Sequence, residues 1–78
     1  MAVVREDVIA AVREADIVSD PDALRDDMPL TDQGVDSLGL FNIILLLQEK
    51  YDLEIPDADI DAMDTIQAII DYLNGRLA

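Results

Sequence analysis

The chain has 78 residues and a formal net charge of −13, because 18 acidic side chains face five basic ones. A phosphate backbone or an anionic membrane surface would repel such a chain, so we expect neither nucleic acid nor a membrane as a partner. No cysteine is present, and the longest uncharged stretch, residues 37–48, is too short to span a bilayer. Charges scattered through residues 5–16 also argue against a signal peptide.

These features favour a single domain, residues 1–78, that is cytoplasmic and monomeric. Its acidic surface is expected to meet proteins with basic patches, since opposite charge steers association. The alternative is that the acids only keep a small apolar protein in solution.

A first helix is expected near the amino terminus, where apolar residues recur at helical spacing. Its apolar face consists of Val4, Val8, Ala11, Val12 and Ala15. Residues 17–35 show no sustained period and contain prolines, a glycine and clustered aspartates, which indicates a long loop. A single turn is expected at Pro21, capped by Ser19 or Asp20. Three apolar residues of the loop are expected to pin it to the core, namely Met28, Leu30 and Val35.

A second helix is predicted over residues 37–51, and its apolar residues form two stripes. The first follows the spacing of a buried helix face and consists of Leu40, Ile43, Ile44, Leu47 and Tyr51. Leu38, Phe41 and Leu45 form a second stripe on another face. A bundle this small can hardly bury a helix on all sides, and exposed contiguous apolar surface marks binding sites. The alternative is that the preceding loop folds over the second stripe.

Pro56 closes the connection after this helix, and a short helical turn is expected within residues 57–63. The last helix is expected to begin with Asp64 as N-cap and Gln67 three residues later, a capping-box pattern, and to end at Gly75. Its core face consists of Ile66, Ile69, Ile70 and Leu73. The fold class is therefore all-α: a small bundle of three main helices plus one short helix, with a long loop between helices 1 and 2.

Ser37 stands directly before the most apolar helix. Asp36 is a good N-cap candidate, which places Ser37 in the first helical turn, where unpaired N–H groups and the helix dipole favour an attached phosphate. Taken by itself, the pattern favours a serine that only helps to cap the helix. Catalysis by Ser37 would need an activating base, but the chain has no histidine and only one lysine, Lys50. We therefore expect no enzyme activity from the chain alone.

The segment "GVDSL", residues 34–38, resembles the attachment motif of the acyl carrier protein family. The segment "LLLQEKYDLEIPDADIDAMDTIQAIIDYL", residues 45–73, is similar to the remainder of such a protein without a gap. The resemblance covers nearly the whole chain and is weakest in the first 30 residues. The short motif carries more weight because it lies at the start of the second helix of an acidic 78-residue chain.

The resemblance implies a covalent cofactor, 4′-phosphopantetheine, which a phosphopantetheinyl transferase moves from coenzyme A to the Ser37 hydroxyl. The arm ends in a thiol, so the cofactor supplies the sulfur that the chain lacks. Acyl groups are bound to this thiol as thioesters. They are presented to acyl-loading and acyl-processing enzymes with basic and apolar docking patches. Asp36 and Leu38 match positions that the transferase and the partners read. The expected partner-binding residues are Leu38, Phe41, Asn42, Leu45 and Glu49.

This sequence departs from the family pattern in ways that bear on the pathway. Typical fatty-acid carriers have acids where this chain has Gly39 and Asn42, and a leucine where it has Gln33. Glu49 and the loop aspartates remain for basic partners, while the second helix is richer in large apolar residues, namely Phe41, Leu45 and Leu46. A carrier for fatty-acid-like, polyketide or other specialised biosynthesis fits these features. A peptidyl or aminoacyl carrier is the close alternative, although those more often lack an acid before the serine.

Two alternatives from other classes follow from the residues. The aspartates at 57, 59, 61 and 64 resemble the start of a calcium-binding EF-hand loop, but that loop needs glycine at its sixth position and glutamate at its twelfth. Those positions are Ala62 and Ala68, so we expect no metal site. The other alternative is a helical protein-docking module in which Ser37 stays unmodified.

Overall fold

The computed structural model describes residues 2–77, and every regular element in that range is helical. Helix α1 spans Arg5–Ala15, α2 spans Ser37–Tyr51, α3 spans Asp57–Ile60 and α4 spans Ile66–Leu77. Two 3₁₀ turns, Pro21–Ala23 and Leu30–Gln33, lie in the long connection between α1 and α2. The expected class, three main helices plus one short one, is confirmed. The first turn begins at Pro21 as expected, whereas the second was not foreseen.

The core lies where α1 packs against both α2 and α4. Its fully buried members come from all three long helices and include Ile9, Ile43, Leu47, Ile66 and Leu73. The face expected for α1 was partly wrong. Ile9 is buried because α1 faces two neighbours, whereas Val4 is the extended N-cap residue before the helix and is 54% exposed. Ala15 is half-buried.

The stripe expected to form the core side of α2 is mostly correct. Ile43, Ile44 and Leu47 are inaccessible to solvent, while Leu40 and Tyr51 are half-buried and pack against the edge of the core. Leu46, which belonged to neither stripe, is also half-buried. The buried face of α2 is therefore narrower at its two ends than the spacing implies.

The long connection between α1 and α2 is tied to the bundle along its length. Leu30 and Val35 are buried as expected, and Met28 is half-buried. The Arg5 guanidinium donates to the Asp26 carboxylate at 2.7 Å and to the Leu24 carbonyl at 2.8 Å. Backbone hydrogen bonds join the connection to the start of α4: Leu30 N–H donates to the Asp64 carbonyl, and Gln67 N–H donates to the Asp26 carbonyl.

The expected ends of α4 were wrong. Thr65, not Asp64, caps the helix, because its hydroxyl accepts a hydrogen bond from Ala68 N–H at 3.0 Å. The Gln67 side chain donates to Asp71 instead of reaching back to the cap. Gly75 does not end the helix, which continues to Leu77, since this glycine does not adopt the positive φ that terminates helices.

Helix α3 is shorter than the expected span of residues 57–63 and contributes no buried residue. Polar contacts hold it in place. The Tyr72 hydroxyl donates to Asp59 at 2.6 Å and accepts from Arg76, whose other terminal nitrogen donates to the Glu54 carbonyl. The hydrogen bond to Asp59 raises the pKa of Tyr72 above its ordinary value, burial adds to the rise, and the Arg76 charge opposes it.

Candidate functional site at the start of helix α2

The backbone changes direction just before α2. Gly34 follows the second 3₁₀ turn with φ = +92°, a left-handed conformation that glycine adopts without strain. Val35 N–H then donates to the Leu30 carbonyl at 3.1 Å, and the Val35 side chain enters the core. Asp36 and Ser37 therefore emerge from an anchored turn onto the surface.

Asp36 is the N-cap of α2, as the sequence indicated. Its carboxylate accepts a hydrogen bond from Gly39 N–H at 2.7 Å, and its carbonyl accepts one from Leu40 N–H at 2.9 Å. The cap leaves the N–H groups of Ser37 and Leu38 without a protein acceptor within residues 2–77. Such groups, together with the positive end of the helix dipole, create a place that favours an anion.

Ser37 is exposed as the first residue of α2. Its hydroxyl takes part in none of the hydrogen bonds that join residues 2–77, so it is free to carry a substituent. The single lysine, Lys50, faces Asp7 at 3.7 Å rather than Ser37. The arrangement suits a serine modified by another enzyme: a free hydroxyl, unpaired N–H groups for a phosphodiester, and no base of its own.

Gly39 has a packing role that the sequence did not reveal. A Cβ atom at this position would lie 3.1 Å from the Cδ1 atom of Ile17 and 3.1 Å from the Asp36 carboxylate oxygen. The connection from α1 thus passes close against the first turn of α2. An acidic side chain here would meet both Ile17 and the capping carboxylate, so the departure from the family pattern has a physical reason.

The apolar stripe of Leu38, Phe41 and Leu45 is exposed, as expected. These side chains are 69%, 40% and 42% accessible, and the loop does not cover them. Asn42 and Glu49 are also exposed on this side. The stripe extends about 10 Å along the helix, at 1.5 Å per residue. A role for these five residues in partner binding stays a prediction.

A shallow groove of about 350 Å³ runs between α1 and α2, beside the stripe. Its lining consists of Glu14, Ala15, Asn42, Leu45, Leu46 and Glu49. The sequence did not predict that α1 residues line this groove. Periodicity assigns residues to the faces of one helix, but it does not show which faces of two helices lie side by side. The small Ala15 beside the exposed Glu14 is the signal that could have suggested it.

The protein is negative because 18 acidic side chains outnumber five basic ones, and the basic side chains are engaged within the fold. Ion pairs join Arg5 to Asp26, Arg13 to Asp22, Arg25 to Asp27 and Lys50 to Asp7 within residues 2–77. Arg76 donates to Tyr72 and to the Glu54 carbonyl. Most acids therefore remain available to a positively charged partner.

The aspartates of residues 57–64 do not converge on a common point. Within residues 2–77, no group of three or more acidic side chains is arranged to hold a metal ion. In the same range, no helix combines the length and the apolar character needed to cross a membrane.

The fold and this site define a small helical protein with an exposed serine at the start of its second long helix. A family model described as "Phosphopantetheine attachment site" matches residues 6–73. The structure is also similar to the solution structure of butyryl-ACP from the actinorhodin polyketide synthase of Streptomyces coelicolor. The TM-score is 0.84 and the identity 27%, over 99% of this chain and 93% of that chain.

The chain therefore belongs to the phosphopantetheine-binding family of acyl carrier proteins. Its cofactor is covalently bound 4′-phosphopantetheine, and its role is that of an acyl carrier. Carriers of this family interact with phosphopantetheinyl transferases and biosynthetic enzymes, and they are generally not catalytic themselves.

Proposed function

We propose that Ser37 is the attachment residue. A phosphopantetheinyl transferase would direct the Ser37 oxygen onto the phosphorus that bears the pantetheine chain in coenzyme A. A new P–O bond forms to serine, the pyrophosphate bond breaks, adenosine 3′,5′-bisphosphate leaves, and the hydroxyl proton is lost to a base of the transferase. The observation that supports this proposal most directly is the exposed Ser37 hydroxyl beside unpaired N–H groups at the start of α2.

The attached group supplies a thiol that holds acyl cargo as a thioester. The protein's own residues position that group: Asp36 fixes the first turn of α2, and the helix terminus stabilises the negative phosphodiester. No histidine is present and the only lysine is paired, so the acyl chemistry belongs to separate enzymes. The chain itself is recognised by these enzymes and holds the arm that carries the acyl group.

The attachment is tested by incubating the purified protein with coenzyme A and a broad-specificity transferase. Intact mass should rise by one phosphopantetheinyl group, and fragmentation should place the added mass on the peptide that contains Ser37. An added mass on a peptide without Ser37 would contradict the assignment. No added mass with a transferase that modifies another carrier under the same conditions would favour the unmodified docking module.

We infer that the carrier serves a polyketide-like or other specialised pathway rather than bulk fatty-acid synthesis. Gly39 and Asn42 stand where acids are typical of fatty-acid carriers, and a Cβ atom at the buried Gly39 would require Ile17 and the Asp36 carboxylate to shift. The similarity to a carrier from a polyketide synthase supports the same direction. The mass of the acylated species isolated from the native cell tests this inference. A peptide or aminoacyl cargo would instead support the peptidyl-carrier alternative.

We further propose that partner enzymes dock on Leu38, Phe41 and Leu45, with Asn42 and Glu49 at the edge. The stripe begins directly after Ser37, where an enzyme that reaches the thiol must approach. Its three large apolar side chains are exposed, and Glu14 and Glu49 line the groove beside it, so basic and apolar patches are the complementary surface.

Phe41→Ala and Leu45→Ala test this docking surface. Both side chains are already about 40% accessible, so each change should cost clearly less stability than the roughly 2–5 kcal/mol of a core truncation. The rate of loading by a cognate enzyme should fall while the protein stays folded. Loss of the fold would show that the stripe is core, and unchanged loading would show that partners bind elsewhere.

A further inference from the structure

Gln33 uses its whole side-chain amide to hold the loop before the site. Its Oε1 atom accepts a hydrogen bond from Arg25 N–H at 2.6 Å. Its Nε2 atom donates to the Arg25 carbonyl at 3.0 Å and to the Met28 carbonyl at 2.9 Å. One side chain thus satisfies two backbone groups of Arg25 and one of Met28, which together use the amide oxygen and both amide hydrogens.

We call these three hydrogen bonds, from the Gln33 side chain to the backbone of Arg25 and Met28, the clasp. The clasp lies directly beside the attachment motif. Gln33 is the last residue of the second 3₁₀ turn, and Gly34, with its positive φ, follows at once. Only three residues separate Gln33 from Ser37. The segment that it grips, residues 25–28, has no helix of its own to order it. The clasp therefore joins an irregular acidic segment to the turn from which Asp36 and Ser37 emerge.

We propose that Gln33 is a positioning residue for the transfer to Ser37: its amide holds residues 25–28 against the turn, so that the transferase meets a preformed surface. The proposal rests on Ser37 being the attachment site. The exposed Asp32, one residue before Gln33, complements a basic partner. A loop that is already ordered spares the complex the entropy cost of ordering it on binding.

The choice of residue supports this role. The family resemblance has a leucine at this position, and a leucine cannot make any of the three hydrogen bonds. Packing alone does not account for a half-buried glutamine whose polar atoms all reach backbone groups five and eight residues away. The side chain is placed to define a loop conformation rather than to fill the core.

Gln33→Leu removes the clasp and keeps a side chain of similar size. With the transferase, KM for this protein should rise about tenfold if the binding-competent loop falls to a tenth of the population, while kcat changes less than twofold. Amide exchange at Arg25 should accelerate, since its N–H loses its acceptor. Gln33→Ala provides a second variant that adds no apolar bulk, and it should give the same pattern.

Asn74→Leu is the matched control. The Asn74 amide also holds backbone, accepting from Val3 N–H at 2.7 Å and donating to the Val3 carbonyl at 3.1 Å, but it lies outside the loop. It should leave KM near the wild-type value. An unchanged KM in both Gln33 variants, or an equal rise in Asn74→Leu, would overturn the proposal. If the wild-type protein itself gains no phosphopantetheinyl group, the attachment at Ser37 fails instead.

Discussion

The two connections that flank α2 are held in different ways. The connection before it, which leads to Ser37, buries Leu30 and Val35, and it is tied to α1 and α4 by Arg5 and by backbone hydrogen bonds. The connection after it buries Ile55 and Met63, but the helix between them, α3, buries no residue and is held by the contact of Asp59 with Tyr72. The contrast therefore lies in α3, which rests on partly exposed polar contacts that contribute little each, whereas the connection that presents the serine is tied to two helices along its length.

The largest expected difference comes from truncating Leu30 in the first connection and Ile60 of α3 in the second. Leu30→Ala removes a side chain that is inaccessible to solvent and should lower the free energy of unfolding by about 2–5 kcal/mol. Ile60→Ala truncates a half-buried residue of α3 and should cost clearly less. Urea denaturation of both variants provides the measurement. Equal losses would show that the two connections are anchored alike.

A pair of glycine substitutions compares the turn before Ser37 with the interior of α4. Gly34→Ala should cost about 1–2 kcal/mol, because the left-handed conformation at φ = +92° is strained for a residue with a Cβ atom. Gly75→Ala, inside α4, should instead stabilise by up to about 1 kcal/mol. An added Cβ meets no atom within 4 Å at either glycine, so backbone conformation alone separates them. Thermal unfolding should shift in opposite directions, and a shift of the same sign would contradict this account.

The smallest expected effect is that of Tyr72→Phe, which removes the hydrogen bond to Asp59 and should cost less than about 1 kcal/mol. Amide exchange in α3 should accelerate while the region around Ser37 keeps its protection. The raised pKa of Tyr72 fixes the sign of the pH dependence. Its contribution is fully present below the pKa of the unfolded tyrosine, about 10, and is lost as pH rises through the folded value.

Above that pH, wild type and Tyr72→Phe should therefore converge in stability. A gap between the two proteins that stays constant from neutral to strongly alkaline pH would show that the phenol contributes through packing rather than through its proton. A constant gap would also be found if the Tyr72 hydroxyl did not donate a hydrogen bond to Asp59.

The sequence predicted the helices well because each long helix carries an apolar period that packing enforces. Asp36 as cap of α2, and the exposure of the stripe at Leu38, Phe41 and Leu45, also followed from spacing alone. The cap of α4 did not, because Asp64 and Thr65 are both good caps and tertiary contacts decide between them. The Asp64 carbonyl is engaged by Leu30, which comes from a distant part of the chain.

The details of the site that the sequence did not reveal are all contacts between segments. Gly39 appeared only as a missing acid, yet it makes room for Ile17. Gln33 appeared only as a missing leucine, yet its amide reaches back to Arg25 and Met28. Irregular loops have no period from which such partners can be inferred, so these roles are visible only in the folded chain. The resemblance identified the motif, while the structure shows how its surroundings hold it.

The central claim, that Ser37 carries the arm, is tested most directly by two serine variants. Ser19 and Ser37 are the only serines in the chain, and both are exposed. After incubation with coenzyme A and a transferase, Ser19→Ala should gain one phosphopantetheinyl group by intact mass, as the wild type does, and Ser37→Ala should gain none while remaining folded. A phosphopantetheinyl group found on Ser37→Ala would contradict the claim.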